Sequence, residues 1–283
     1  MPEFDLIAPT STEEAVAELR SLPPDEVAVL AGGTDLLFDL DQGRALPRRI
    51  VSLRNLPWRT LDWNGGALTV GSTLPLRALE TDPDLPRRMP GLYRAVRAVG
   101  GVALRTRATL GGNLARSAPT SDLIPILLAL DAAVELVGPH GTRTVSVDRF
   151  VRSSRETALG RAELIRSVRV PESRPSAYVW QRVRPVNDIS QVSVAVAFSP
   201  SEGTWRVALG GVRPRPVRVP EAEEGLVGPR PAGDRLSRVA DRIARHPALA
   251  GDRRASDEYR RHLVAVLFAR AVGIASDGAG GAP

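Results

Sequence analysis

The stretch Thr109-Leu110-Gly111-Gly112-Asn113 lies within a longer loop-like run, residues 105–122, and an apolar segment over residues 123–130 follows that run. A glycine pair lets the backbone adopt positive φ angles and lets another molecule approach the main chain closely. The flanking hydroxyl and amide side chains add polar groups, so the loop can present several N–H groups to one anion. We take this stretch as the first half of a candidate binding site.

A second stretch of the same character stands upstream, and it reads Val29-Leu30-Ala31-Gly32-Gly33-Thr34-Asp35-Leu36. One glycine pair is weak evidence, because most such pairs are only turns. Here the upstream pair follows an apolar strand-like run, residues 27–30, and the downstream pair leads into a helix-like one. Ligands usually bind at the carboxyl ends of strands in α/β sheets. Together the two loops predict the two halves of a clamp.

Composition limits the class of protein. The chain has 283 residues, of which 43% are apolar and 25% charged, and this is enough for two domains of a soluble globular protein. No apolar run is long enough to span a membrane, and the acidic N-terminus lacks the features of a signal peptide, so we expect a cytoplasmic protein. The net charge of +6 comes from arginines spread along the chain, which does not favour nucleic-acid binding.

The side chains predict no catalytic residue and no metal site. The sequence contains neither cysteine nor lysine, which excludes thiolate nucleophiles, iron–sulfur clusters and Schiff bases. The histidines His140, His246 and His262 are far apart and have no ligand spacing. No nucleophile elbow is present, and no dinucleotide fingerprint follows a strand. Any chemistry must therefore belong to a bound cofactor.

A pyrophosphate held between the two loops accounts for both of them. Gly32 and Gly33 would donate N–H groups from one side, and Gly111 and Gly112 from the other. The threonine beside each pair adds a hydroxyl donor. Asp122 has two interpretations that the spacing leaves open. Its carboxylate accepts hydrogen bonds from sugar-like hydroxyls, or it caps the helix that begins at residue 123.

The order of predicted elements divides the chain near residue 172. Residues 1–55 form a small α/β unit, in which a capping box, either Thr10 with Glu13 or Ser11 with Glu14, opens a helix. Residues 56–172 contain two hairpins, several helices and a strand over residues 163–170. Residues 173–275 read as strands followed by helices, which predicts an antiparallel sheet covered by helices on one face. The glycine- and alanine-rich tail, residues 276–283, is expected to be disordered.

The motifs resemble one family when they are taken together. The two glycine loops and the following Ser117-Ala118-Pro119-Thr120-Ser121-Asp122 are similar to the FAD-binding (medium) subunit of the molybdenum hydroxylases, of the xanthine dehydrogenase and carbon monoxide dehydrogenase type. The resemblance continues, in the right order, in Asp188-Ile189-Ser190-Gln191-Val192-Ser193-Val194-Ala195, in Leu209-Gly210-Gly211-Val212 and in Ser256-Asp257-Glu258-Tyr259-Arg260-Arg261. It implies an α+β fold, with an N-terminal FAD-binding domain of two α/β subdomains (PCMH-like), followed by a C-terminal antiparallel sheet packed with helices, as in the carbon monoxide dehydrogenase flavoprotein.

The resemblance also implies residue roles toward FAD. Two segments would cradle the pyrophosphate, and their members are Val29, Leu30, Ala31, Gly32, Gly33, Thr34, Asp35, Leu36, Thr109, Leu110, Gly111, Gly112 and Asn113. Asp122 would hold a hydroxyl-rich part of FAD, and Ile165 would lie against the cofactor. Ile189 would sit over one face of the isoalloxazine. Trp180 stands where the family often has a lysine, so it would tune the flavin or admit its electron acceptor.

The implied function is electron transfer within a complex. A molybdopterin-binding large subunit would oxidise the substrate, and a [2Fe-2S] small subunit would carry electrons to FAD in a heterotrimer or its dimer. NAD, a quinone or oxygen would accept the electrons. Two alternatives stay open: a relative that lacks FAD and serves as an assembly or interaction protein, which Trp180 and the altered residues 98–106 allow, and a stand-alone flavin oxidase, for which the sequence offers no candidate base.

Overall fold

A small parallel sheet opens the chain in the computed structural model, which describes residues 3–173, 175–184, 187–212 and 214–279. Its strands lie in the order β1-β3-β2, and all pairs are parallel. The elements are β1 (Asp5–Ile7), α1 (Thr12–Arg20), β2 (Val27–Leu30), α2 (Leu36–Asp41) and β3 (Arg49–Ser52), with 3-10 turns at Pro24–Glu26 and Leu53–Asn55. The predicted capping box is present, since Ser11 accepts from the Glu14 N–H while Glu14 accepts from the Ser11 N–H. The first glycine loop therefore joins the carboxyl end of β2 to α2.

The middle of the chain builds a five-stranded antiparallel sheet in the order β4-β5-β10-β6-β7. Both predicted hairpins are present, and the central strand β10 is the one predicted over residues 163–170. The strands are β4 (Leu61–Asn64), β5 (Ala67–Gly71), β6 (Ala133–Gly138), β7 (Gly141–Ser146) and β10 (Leu164–Pro171), and a short ribbon pairs β8 (Val151–Ser153) with β9 (Glu156–Thr157). The helices are α3 (Leu76–Thr81), α4 (Leu85–Arg88), α5 (Pro90–Ala98), α6 (Val102–Arg105), α7 (Leu110–Arg116), α8 (Leu123–Ala129) and α9 (Val147–Phe150).

The last part of the chain forms a four-stranded antiparallel sheet in sequence order, together with three helices. Its elements are β11 (Ser176–Gln181), β12 (Val192–Ser199), β13 (Thr204–Gly210), β14 (Val217–Arg218), α10 (Pro220–Glu223), α11 (Gly233–Ile243) and α12 (Asp257–Ala279). The antiparallel sheet and its helices are as predicted.

The helices that follow this sheet in the chain cover one of its faces, as predicted, and helices of the preceding part cover the other face. Helix α12 packs on one face, while α5 and α8 pack on the other. The alternation along β12 explains both contacts. Val194 and Val196 belong to the core shared with α12, whereas Ala195 and Ala197 belong to the core of the preceding sheet and its helices. Small alanines let α5 and α8 approach closely, so the two halves of the chain share a continuous interior.

The C-terminal tail departs from the prediction in part. Helix α12 continues through Ala279, so residues 276–279 are helical rather than disordered. The reason is that Ala275 packs in the core of this part of the chain and Ser276 is buried beside it, so the helix continues into a segment whose composition alone predicts disorder. Residues 280–283 lie outside the described residues. Within the described residues, no helix combines the length and apolar character needed to cross a membrane.

Candidate functional site

The two glycine loops meet in the structure. Gly32 packs against the segment that precedes the second loop. A Cβ at Gly32 would lie 2.7 Å from the carbonyl carbon of Arg107 and 3.2 Å from the Cα of Ala108. Gly33 adopts a φ of +79°, which favours glycine. The first glycine is therefore needed for contact between the loops, and the second for the turn into α2.

The second loop is fixed by its own hydrogen bonds. Thr109 is the N-cap of α7, and its hydroxyl accepts from the Gly112 N–H at 2.9 Å. Gly112 was predicted to donate to a pyrophosphate, but its N–H is used within the loop. Gly111 packs against Ser72, because a Cβ there would lie 2.6 Å from the Ser72 Cβ. The Asn113 side-chain oxygen accepts from Ser121 at 2.6 Å.

A cavity of about 290 Å³ lies between the loops. Most of the predicted site residues line it: Val29, Ala31, Gly32, Gly33, Thr34, Asp35, Leu36, Thr109, Gly111, Gly112, Asn113 and Ile165. The lining residues that sequence reasoning missed are Asp39, Leu53, Ser72, Val99, Leu104, Ala108, Ala115, Arg116, Leu159, Glu163 and Leu164. Leu30 and Leu110 belong to the loops but do not line the cavity, and neither do Asp122, Trp180 and Ile189.

Several polar groups at the cavity have no partner in the protein. Among the hydrogen bonds of the described residues, none uses the backbone N–H of Gly32, Gly33, Thr34 or Gly111. The Ser72 hydroxyl is buried and also has no hydrogen-bond partner among the described residues. A buried polar group is normally hydrogen-bonded, so the buried Ser72 hydroxyl calls for an explanation such as a ligand. The cavity thus offers donors from both loops to an anionic or polar ligand.

The charges at the cavity are mostly negative. Asp35, Asp39 and Glu163 line it, and Arg116 is the only cationic side chain among the lining residues that the structure describes. Arg116 pairs with Asp39 at 2.5 Å and with Asp35 at 3.3 Å. The hydrogen bond from Arg116 holds the pKa of Asp39 below its ordinary value. Glu163 is neutralised by Arg143, whose hydrogen bonds lower the pKa of that carboxyl.

Asp122 ties the start of α8 to the last sheet. Its Oδ1 accepts from the Tyr178 hydroxyl at 2.7 Å and from the Ser190 hydroxyl at 2.6 Å, and its Oδ2 accepts from Arg182 at 2.7 Å. Burial raises the pKa of Asp122, and Arg182 opposes this shift. Although Asp122 stands at the N-cap position, its side chain does not cap the helix. Ser121 does so instead, accepting from two N–H groups of the first turn at 3.2 Å each.

Trp180 and Ile189 lie beside this ionic cluster. Trp180 stacks on Tyr178 with ring centroids 5.4 Å apart, and Arg182 lies 5.4 Å from the Trp180 ring centroid. Ile189 is about half exposed and directly precedes Ser190 in the chain. The structure therefore groups Asp122, Trp180 and Ile189 with one another, apart from the residues that line the cavity.

Comparison with known proteins assigns the chain to a family. The family model described as the FAD binding domain in molybdopterin dehydrogenase matches residues 2–173. The chain belongs to this family. The model described as the CO dehydrogenase flavoprotein C-terminal domain matches residues 177–275. The protein is thus an FAD-binding subunit of the molybdenum hydroxylase family, and FAD is its cofactor.

Individual relatives match over nearly the whole chain. This subunit is 29% identical to the nicotine 6-hydroxylase medium subunit of Paenarthrobacter nicotinovorans, over 96% of this chain and 97% of that protein. It is 30% identical to the carbon monoxide dehydrogenase medium chain of Afipia carboxidovorans, over 95% of each. A solved structure of carbon monoxide dehydrogenase from Hydrogenophaga pseudoflava, which lacks the Mo-pyranopterin moiety of the molybdenum cofactor, superposes with a TM-score of 0.90 at 28% identity and 98% coverage of both chains. These oxidoreductase relatives confirm the predicted family and α+β fold.

The remaining motifs of this FAD-binding subunit hold its two halves together. Gly211 has a φ of +73°, and its N–H donates to the Pro119 carbonyl at 3.0 Å. The buried Arg260 on α12 donates to the Gly211 carbonyl and pairs with Asp252 at 2.8 Å. The glycine pair at residues 210–211 and the motif at residues 256–261 therefore support the loop before α8 rather than line the cavity.

Proposed function

We propose that this subunit binds FAD between its two glycine loops and passes electrons from an iron–sulfur subunit to an external acceptor. In this proposal it works in a complex with a molybdopterin-binding large subunit. The relatives named above are called medium subunits or medium chains, and this name supports a complex that also contains a larger and a smaller subunit. NAD, a quinone and oxygen are the candidate acceptors.

The observation that carries the proposal is the set of unpartnered donors at one cavity. The N–H groups of Gly33 and Thr34 come from the first loop, and that of Gly111 comes from the second. Neutral N–H donors suit a diphosphate because they hold anionic oxygens without adding charged side chains. This donor set fits the diphosphate of FAD. Bound FAD would supply the redox centre that the side chains lack.

Other residues of the cavity would complete the site. The Ser72 hydroxyl would gain the partner that it lacks in the protein, which recovers the cost of burying it. Apolar side chains such as Leu53, Leu104 and Ile165 give the cavity walls that exclude water from a flavin. Asp35 is about half exposed at the same wall, and its carboxylate can accept from sugar hydroxyls.

Asp122, Trp180 and Ile189 enter the proposal as positioning residues. Asp122 holds Ser190, and Ser190 is bonded to Ile189 in the chain, so the ionic cluster determines where Ile189 stands. Trp180 stacks beside the same cluster and restricts Arg182.

We also propose that the FAD-binding unit covers residues 1–172 (subdomains 1–55 and 56–172) and that residues 173–275 form the second domain.

The test is to isolate the complex from its native cell through a tag on this chain. We expect a flavin absorption spectrum, molybdenum and iron by elemental analysis, and two co-purifying subunits by mass spectrometry. Anaerobic reduction of the complex should bleach the flavin, and an external acceptor should restore its spectrum. A flavin-containing chain that purifies without molybdenum or iron would refute the proposed partner subunits. Turnover by that chain alone would indicate a flavin oxidase.

A further inference from the structure

The cavity presents an electrostatic problem for a diphosphate ligand. Three carboxylates line it, those of Asp35, Asp39 and Glu163. Arg143, which does not line the cavity, neutralises Glu163 by donating from Nη2 to Oε2 at 2.6 Å and from Nε to Oε1 at 2.7 Å. The first loop and α2 therefore keep two carboxylates near the site of an anionic ligand, and like charges at short range oppose binding. A cation at this wall would offset part of their negative charge.

Arg116 is placed to be that cation. It is three-quarters buried at the end of α7, and it lines the cavity. Arg116 donates to Asp39 from Nη1 at 2.5 Å and from Nη2 at 3.4 Å, and its Nε lies 3.3 Å from Oδ1 of Asp35. These contacts hold the guanidinium from the α2 side. Its fork carries more N–H donors than the contacts use, so donors remain for another anion.

We propose that Arg116 is a binding residue of the cofactor site, which pairs with the diphosphate of FAD while Asp35 and Asp39 hold it in position. This inference rests on the proposed location of FAD between the glycine loops. It adds a charged partner to a site whose other donors are neutral backbone groups. Because arginine binds phosphate through a rigid planar fork, lysine at this position retains the charge but loses the geometry.

The experiment compares Arg116→Gln, Arg116→Lys and the control Arg238→Gln. Arg238 is exposed on α11 and pairs only with the exposed Asp234 among the ion pairs of the described residues, so the control removes one positive charge away from the cavity. FAD affinity is measured by quenching of flavin fluorescence at low and high salt. The thermal midpoint of each variant without added FAD reports the fold.

The expected result is a loss of FAD affinity of about tenfold to a hundredfold in Arg116→Gln, since a charge-assisted hydrogen bond is lost. The salt dependence of binding should also flatten in that variant, while Arg116→Lys retains the salt dependence with intermediate affinity. Arg238→Gln should match the unmodified chain.

Three results overturn the proposal. Unchanged FAD affinity in Arg116→Gln would mean that Arg116 does not contact the diphosphate. If Arg116→Gln lowers the thermal midpoint but leaves the salt dependence of FAD binding unchanged, Arg116 only holds α7 against α2. Unchanged FAD affinity in Gly111→Val, which adds a bulky side chain to the second glycine loop, refutes the proposed location of FAD itself.

Discussion

Gly32→Ala isolates the contact between the two glycine loops. The backbone at Gly32 is outside the positive-φ region, so alanine is permitted there and only the added methyl group acts. That methyl carbon would lie 2.7 Å from the Arg107 carbonyl carbon and closer to its oxygen. Because Arg107 presents backbone rather than a flexible side chain, the loops must separate by at least about 0.7 Å to reach ordinary contact at 3.4 Å.

The expected cost follows from this displacement. Overpacking of a close contact destabilises a fold by about 1–3 kcal/mol. Separating the loops also moves the Gly33 and Thr34 donors away from Gly111, so FAD affinity should fall together with the free energy of unfolding. Urea unfolding followed by circular dichroism measures the first quantity, and flavin fluorescence titration measures the second.

Gly273→Ala is the matched control. Gly273 is exposed in α12, and a Cβ there meets nothing within 4 Å. Alanine at this position should raise the free energy of unfolding by up to about 1 kcal/mol, because glycine is unfavourable within helices. If Gly32→Ala unfolds at the same urea concentration as the unmodified chain and binds FAD equally well, the reasoning about loop contact is wrong.

Two further predictions concern buried charges. Asp122→Asn leaves the buried Arg182 without its anion, so the free energy of unfolding should fall by about 3 kcal/mol in urea titrations, and an unchanged midpoint would contradict the pairing. Glu80 accepts from Arg105, and this bond holds the pKa of Glu80 at about 2, against 4.5 in the unfolded chain. The stabilisation is therefore complete above pH 4.5 and is lost as the pH falls toward 2. Over that range the free energy of unfolding of the unmodified chain should fall more steeply than that of Glu80→Gln. Parallel plots of the free energy of unfolding against pH would refute the linkage.

Local patterns were enough to predict most of the elements. A capping box at the start of α1, the two hairpins and the helix after residue 122 all form as predicted, because each depends on residues close together in the chain. The two glycine loops were also identified correctly as neighbours.

The missed residues of the cavity had no such local signal. Ser72 lies just after β5, and nothing in its neighbourhood indicates that its hydroxyl is left without a partner. Arg116 is one of many arginines in the chain, and only its approach to Asp39 distinguishes it. Asp122 shows the same limit, since its position indicates a helix cap whereas its oxygens bind groups that lie far along the chain.

The sequence by itself determined the family, the α+β class and the two loops, because these depend on short motifs and on periodicity that contiguous residues carry. Only the tertiary structure decided which groups face the cavity, which donors stay unpaired and which charges meet. These properties depend on side chains that are distant in sequence and are brought within about 3 Å by packing. The role of Gly32 illustrates the division: the sequence predicts that it donates its N–H to a pyrophosphate, whereas its contact with Arg107 is visible only in the structure.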